Sequence, residues 1–258
     1  TVAIMPVHYA GQSCRMDEIM EIAEEKDLAV IEDSAECVGG TYKKKKAGTF
    51  GTGCFSFYPT KNMTTGEGGM VTTNDEKLIQ KIATLKAHGI TKTAQERKKD
   101  KQPWHRSATM PGYNYRLCDI QSAIGLIQLK KIDQMNDARR RNAKKLNEKI
   151  TNPEIEKPIE QKECKHVYQM YTIKTINKNR DNIVENLRNQ GIGANVHFHP
   201  AVHQQEYYKK KPIKLPKPGE VSQKINTLPK DPILERRDNV KRTKGVKNGN
   251  SNNSSCYI

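Results

Sequence analysis

An α/β domain followed by a smaller α+β domain is the architecture that the sequence predicts, on three observations. The first is a strand–helix–strand order near the start. Residues 1–5 read as a core strand. Residues 16–26 place Ile19, Met20, Ile22 and Ala23 at helical spacing, and residues 28–31 form a short branched run suited to a buried parallel strand. That order defines a βαβ unit and with it a mainly parallel sheet flanked by helices. The second is a continuation of the same kind: buried strands over 53–58 and 69–73, then a helix over 76–88 with Leu78, Ile79, Ile82, Ala83 and Leu85 on its apolar side. The third is a change of pattern beyond a long helical stretch over 119–150. A strand over 167–176, a helix over 180–190 and a strand over 194–198 follow, which read as a second, α+β domain.

The expected division is therefore a large domain over 1–134, a small domain over 135–240 and a disordered tail over 241–258, where Lys, Asn, Gly and Ser dominate. Residues 42–46 read as a basic, exposed turn or hairpin. Residues 91–103, highly charged with almost no apolar side chain, read as a mobile loop. The chain opens on Thr1 within a core strand, so the expectation is a large domain that lacks its N-terminal part, with a cleaved propeptide as the alternative.

Composition excludes several classes. No apolar run approaches the roughly 20 residues of a membrane span. The six cysteines (Cys14, Cys37, Cys54, Cys118, Cys164 and Cys256) form no C-x-x-C pair, which suits reduced thiols in a cytoplasm better than a disulfide framework. The net charge of +16 suggests nucleic acid, but its distribution argues against that. Residues 1–75 carry 7 Lys/Arg against 11 Asp/Glu, and residues 76–258 carry 38 against 18. The excess is scattered lysine without interleaved aromatics, a solvated surface that could still attract an anionic nucleotide substrate.

Several residues stand where chemistry is possible. Asp33 follows directly on a strand over 28–32, and ligands of open α/β sheets bind at the carboxyl ends of strands. A carboxylate there can hold a cationic ring nitrogen, although from position alone a capping role is the commoner reading. Lys61 follows an apolar strand beside a turn. Partial burial favours the neutral amine that Schiff-base chemistry requires, but by itself Lys61 is one lysine among many. Gly66-Glu67-Gly68-Gly69 is a flexible turn. His8 lies at a strand end and is more readily a packed core histidine than a site residue. His197, His199 and His203 cluster in sequence, but no carboxylate or thiol joins them, so no metal site is expected. Arg116 suits an anionic substrate group and an ordinary salt bridge equally well.

Taken together, these segments resemble a known family. Ile31-Glu32-Asp33-Ser34-Ala35-Glu36, Gly48-Thr49-Phe50-Gly51, Phe55-Ser56-Phe57-Tyr58-Pro59-Thr60-Lys61-Asn62 and Thr65-Gly66-Glu67-Gly68-Gly69 look like the core of the DegT/DnrJ/StrS sugar aminotransferases. Gly112-Tyr113-Asn114-Tyr115-Arg116, Ile120-Gln121-Ser122-Ala123-Ile124-Gly125-Leu126, His166-Val167-Tyr168-Gln169-Met170-Tyr171, Gly191-Ile192-Gly193 and Val196-His197-Phe198 continue the agreement. It spans roughly residues 1 to 235, and the order and spacing of so many motifs make it specific.

The resemblance implies a fold-type-I, pyridoxal phosphate-dependent transferase. It implies that Lys61 carries the cofactor and moves protons during the reaction, and that Asp33 pairs with the pyridinium nitrogen, which preserves the ring's capacity to accept electrons. Ala35 would pack on the ring face, and Glu36 would stand near the ring hydroxyl, where many members carry His or Gln. Ser56 would bind the cofactor phosphate. Asn114 would reach the phosphate in a neighbouring subunit, so that a homodimer shares its active sites. The implied reaction passes an amino group from a donor such as glutamate to a nucleotide-linked keto-sugar, for a surface polysaccharide or related product. A lysine at position 61 favours this branch over a dehydratase branch that carries His there. The other readings are a catalytically silent fragment or paralogue with a binding role only, and a nucleic-acid-binding protein resting on charge alone. A phosphate-binding Gly-Thr turn and a ring-stacking aromatic, usual upstream in the family, are not among these residues.

Overall fold

The computed structural model describes residues 1–177, 179–208 and 215–229. Its regular elements, in chain order, are β1 (Ala3–Ile4), α1 (Met16–Glu25), β2 (Ala29–Asp33), β3 (Thr41–Tyr42), β4 (Lys45–Lys46), β5 (Thr52–Ser56), β6 (Gly69–Thr72), α2 (Glu76–Leu85), α3 (Ala94–Arg97) and α4 (Asp119–Lys149). Then come β7 (Ile155–Glu156), β8 (Cys164–Lys165), β9 (Tyr171–Thr175), α5 (Arg180–Asn189), α6 (Pro216–Lys224) and β10 (Ile225–Leu228). The chain divides into two compact units. The first comprises Thr1–His8, Cys14–Val38 and Lys45–Ile132; the second comprises Tyr9–Ser13, Gly39–Lys44 and the chain from Asp133 onward. The tail expected over 241–258 lies outside the described residues.

The first unit is built on a sheet of order β1-β2-β5-β6. β1, β2 and β5 run parallel, and β6 pairs antiparallel to β5, so the sheet is mixed. α1 supplies the connection expected of a βαβ unit. Asp17 and Glu18 in its first turn complement the helix dipole, and Met16 and Ala23 are its buried side chains. β2 alternates as a strand should, with Val30 and Glu32 buried. Gly51 allows the next strand to approach closely: a Cβ there would lie 2.4 Å from the Val30 carbonyl oxygen. α2 begins on Asp75, whose carboxylate accepts from the backbone N–H of Lys77 and Leu78.

Three expectations change in this unit. Asp33 is the last residue of β2 and pairs in register with Cys54; it does not follow the strand. β6, expected to be buried, leaves Met70 and Val71 exposed, because it is the sheet's edge and β5 is its only strand neighbour in the sheet. The charged stretch beyond residue 90 contains α3. Its start is a reciprocal cap in which Thr93 N–H donates to Glu96 and Glu96 N–H donates to Thr93 Oγ1.

In the second unit β10, β9 and β7 form an antiparallel sheet. Its core joins Ala143, Leu146 and Ile150 of α4 to Tyr171 and Ile173 of β9, Ile183, Val184 and Leu187 of α5, and Leu228 of β10. α5 is capped by the Asn179 side chain at its start and by Gln190 at its end, and the φ of +77° at Gly191 suits the residue after a helix cap. The strand expected over 167–176 begins only at Tyr171. Residues 166–170 are buried without alternation, and Tyr168 has a φ of +44°. The strand expected over 194–198 is reduced to one bridge, Asn195 with Thr227. The segment Tyr9–Ser13 is tied here by Val167 N–H to the Gly11 carbonyl and Met170 N–H to the Ala10 carbonyl.

Candidate active site

The candidate residues of the first unit cluster at the carboxyl end of its parallel strands. Asp33 closes β2 and Ser56 closes the adjacent parallel strand β5, two residues beyond the register partner Cys54. Past Asp33 the chain turns at once: the Ala35 N–H donates to Asp33 Oδ1 at 3.1 Å, and the Cys37 N–H to the Ser34 carbonyl. This turn places Glu36, which is buried. Past Ser56, residues 57–68 form a compact loop. It is held by Phe57 N–H to the Gly68 carbonyl, Thr65 N–H to the Phe57 carbonyl and Lys61 N–H to the Tyr58 carbonyl.

The loop carries Lys61 inward. Its ammonium nitrogen lies 3.5 Å from Glu36 Oε1, with side-chain exposures of 17% and 10%. A lysine that is indistinguishable from surface charge in the sequence is thus mostly buried and faces a mostly buried carboxylate. Burial, and then the charge of Asp33, pushes the Cys54 thiol above its ordinary range. Ser56 Oγ accepts from the Tyr58 N–H at 3.3 Å and keeps its own proton for another acceptor.

Asn114 stands apart from this group. It is exposed, flanked by the stacked and exposed rings of Tyr113 and Tyr115, and its Oδ1 accepts from Arg116 Nε at 3.1 Å. Among the described residues it makes no hydrogen bond to Asp33, Ser56 or Lys61. Arg116 also approaches His88 Nε2, and among the described residues no carboxylate pairs with it. His197 and His199 meet the hydroxyls of Thr227 and Ser222. Among the described residues no group of three or more His, Cys, Asp or Glu is placed to hold a metal.

One residue essential to the site's frame was not singled out by sequence reasoning. Glu32 is wholly buried and accepts from His8 and from the backbone N–H groups of Gly48, Phe50 and Gly51. His8 is accordingly a core residue. A carboxylate at an inward position of an apolar strand was the available signal, because a buried charge demands such donors.

This arrangement, with its mixed sheet and helices, is the fold of the type I pyridoxal phosphate-dependent aminotransferases. The solved structure of Helicobacter pylori PseC, an aminotransferase involved in the biosynthesis of pseudoaminic acid, matches it with a TM-score of 0.86 at 30% identity, covering 93% of this chain and 64% of that one. The DegT/DnrJ/EryC1/StrS aminotransferase family model matches residues 1–243, and the chain belongs to that family. It is 39% identical over 217 residues to the spore coat polysaccharide biosynthesis protein SpsC of Bacillus subtilis, covering 81% of this chain and 56% of the relative. It is 40% identical over 206 residues to GDP-perosamine synthase of Caulobacter vibrioides, covering 78% and 53%. The chain thus spans about half the length of these curated relatives.

Proposed function

We infer that the chain forms part of a pyridoxal phosphate-dependent aminotransferase that moves an amino group from an amino acid, glutamate being the expected donor, to a nucleotide-linked keto-sugar. The observation that carries this reading is the mostly buried Lys61, on the loop after β5, in a family of sugar aminotransferases. The donor set fits the cofactor: an amine able to bond its aldehyde, a carboxylate for a ring nitrogen and a hydroxyl for a phosphate. Pyridoxal phosphate, when bound, supplies a conjugated cationic ring that stabilises negative charge on an adjacent carbon.

The chain's own residues supply the rest. Lys61 would hold the cofactor through its amine, and that amine, when free, would carry a proton on Nζ. Asp33, fixed by the Ala35 N–H, holds a protonated ring nitrogen. Ala35 offers a small surface to the ring, and Ser56 donates to the phosphate. Glu36 provides the carboxylate that Lys61 faces in this structure. The exposed Asn114 and its flanking tyrosines suit a role in a second subunit, and support a homodimer with shared sites. The names of SpsC and GDP-perosamine synthase support a product destined for a surface polysaccharide. No described helix is long and apolar enough to cross a membrane, and five described cysteines are free, which supports a cytoplasmic setting.

The test is to add pyridoxal phosphate to the chain, trap it with borohydride and map the modified peptide. Label concentrated on Lys61 and lost in Lys61→Arg is the expected result. Label spread evenly over surface lysines, unchanged in Lys61→Arg, would overturn the assignment and leave the reading of a catalytically silent, binding-only chain.

A further inference from the structure

A cleft of about 730 Å³ lies wholly within the second unit. One wall is the C-terminal half of α4, where Arg140, Lys144 and Asn147 recur at helical spacing with Arg141 beside them. The facing wall is the segment from Glu156 to Glu160, and Tyr168 also lines the cleft.

Its acceptors are already committed. Glu160 accepts from both terminal nitrogens of Arg140 and from the His166 N–H. Glu156 pairs with Lys174 at 2.5 Å. Lys157 is committed too, donating to the carbonyls of Asn147 and Ile150 at the end of α4. Its remaining donors are not committed. Arg141 and Lys144 are exposed and have no ion-pair partner among the described residues. Asn147 uses its Oδ1 to accept from the Tyr171 hydroxyl, and its N–H groups have no acceptor among the described residues. Tyr168 is 5% exposed, yet its hydroxyl makes no hydrogen bond with any described residue. Burial, and then the charge of Glu160, keeps that phenol protonated and therefore a donor.

A cleft whose carboxylates are neutralised and whose free polar groups are a guanidinium, an ammonium, an amide N–H and a phenol selects an acceptor-rich anion. A carboxylate offers two oxygens in one plane. A phosphate offers three, spread about a tetrahedron, and so meets donors from different walls. We propose that this cleft is a binding site for a phosphate-bearing anion, held by Arg141, Lys144, Asn147 and Tyr168. The site is separate from the residues assigned to the cofactor and does not rest on that assignment.

Titration calorimetry with inorganic diphosphate on the full 258-residue chain, at constant ionic strength, tests it. One saturable site per chain is expected. The double variant Arg141→Ala/Lys144→Ala should bind about tenfold more weakly or worse, the loss of at least one charge-assisted contact. Lys130→Ala/Lys131→Ala, on exposed positions of the same helix, should bind as the parent does and controls for diffuse charge. Tyr168→Phe should weaken binding while leaving the melting temperature unchanged, because the hydroxyl has no partner among the described residues to lose. Lys61→Ala should retain the site. Absence of saturable binding, equal loss in the two double variants, equally tight citrate binding, or loss in Lys61→Ala would each overturn the proposal.

Discussion

The imidazole of His8 and the carboxylate of Glu32, both wholly buried, meet at 2.9 Å. His8 Nδ1 accepts the Cys14 N–H, which leaves the proton on Nε2, facing Glu32. Glu32 also receives the N–H groups of Gly48, Phe50 and Gly51 at 2.7–2.8 Å. One carboxylate thus fastens β2 to the loop that leads into β5, the two strands that end on Asp33 and Ser56. Burial works to raise its pKa, but the bonds from His8 and the three backbone groups outweigh that and hold it below the ordinary 4.5. Glu32→Gln should destabilise the chain by about 3–5 kcal/mol at neutral pH, the range for breaking a buried charged network. A depressed carboxylate contributes stability above pH 4.5 and loses it as the pH falls through its folded value. The difference between variant and parent in urea unfolding should therefore shrink below pH 4.5.

His166 adds a second acid-sensitive element in a different window. It is 3% exposed, stacks on Tyr168 at 3.8 Å between ring centres, and accepts the Tyr168 N–H on Nδ1. Burial pulls its pKa from 6.5 down to about 4. The unfolded chain therefore binds this proton first, so stability is full above pH 6.5 and declines as the pH falls toward 4. At ~1.4 kcal/mol per pKa unit, the loss is about 3 kcal/mol. His166→Asn keeps an acceptor near the Tyr168 N–H but has nothing to protonate. It should be less stable than the parent at pH 8 and show a flatter decline between pH 6.5 and 4; an unchanged slope would refute the assignment.

Legibility in the sequence followed the length and regularity of each pattern. α1, α2, α4 and α5 repeat their apolar positions over two turns or more, and each lies close to where its period places it. β10 was missed because four residues, Ile225 to Leu228, stand against a Pro- and Lys-rich approach, and only pairing with β9 reveals them. Residues 167–170 read as strand because apolar content alone does not show the turn at Tyr168. In the candidate site, Asp33 and Lys61 are assigned through the motif, since neither is distinctive by itself. Their neighbours were less accessible. The approach of Glu36 to Lys61 depends on the turn after Asp33 and the loop over 57–68, two segments whose meeting no local spacing encodes.

Asp33 allows its two roles to be separated. Its Oδ1 accepts the Ala35 N–H, and an amide oxygen can do the same. Asp33→Asn should therefore preserve the turn and keep stability within about 1 kcal/mol of the parent. It should nevertheless weaken pyridoxal phosphate binding by roughly tenfold or more, since a neutral amide cannot hold a cationic ring nitrogen as a carboxylate does. Fluorescence titration with the cofactor and thermal melts read the two effects independently. Equal affinity in parent and variant would remove Asp33 from the site.

Asn226 presents the reverse case, a polar group whose removal should stabilise. It lies on β10 opposite Ile173 and is wholly buried. Residues opposed across an antiparallel pair point to the same face, and Ile173 belongs to the hydrophobic core of the second unit. Neither Nδ2 nor Oδ1 of Asn226 has a hydrogen-bond partner among the described residues. An unpaired buried amide costs about 1–3 kcal/mol, and leucine repeats the branched outline of asparagine with bulkier tips and no polar atom. Asn226→Leu should therefore raise stability by about 1–2 kcal/mol, seen as a higher urea midpoint at unchanged slope. Asn226→Ala separates polarity from packing, because it removes the amide but leaves a cavity, and it should gain less than leucine does. A lower midpoint for the leucine variant would show that the amide is bonded in solution and that the strand tolerates it for that reason.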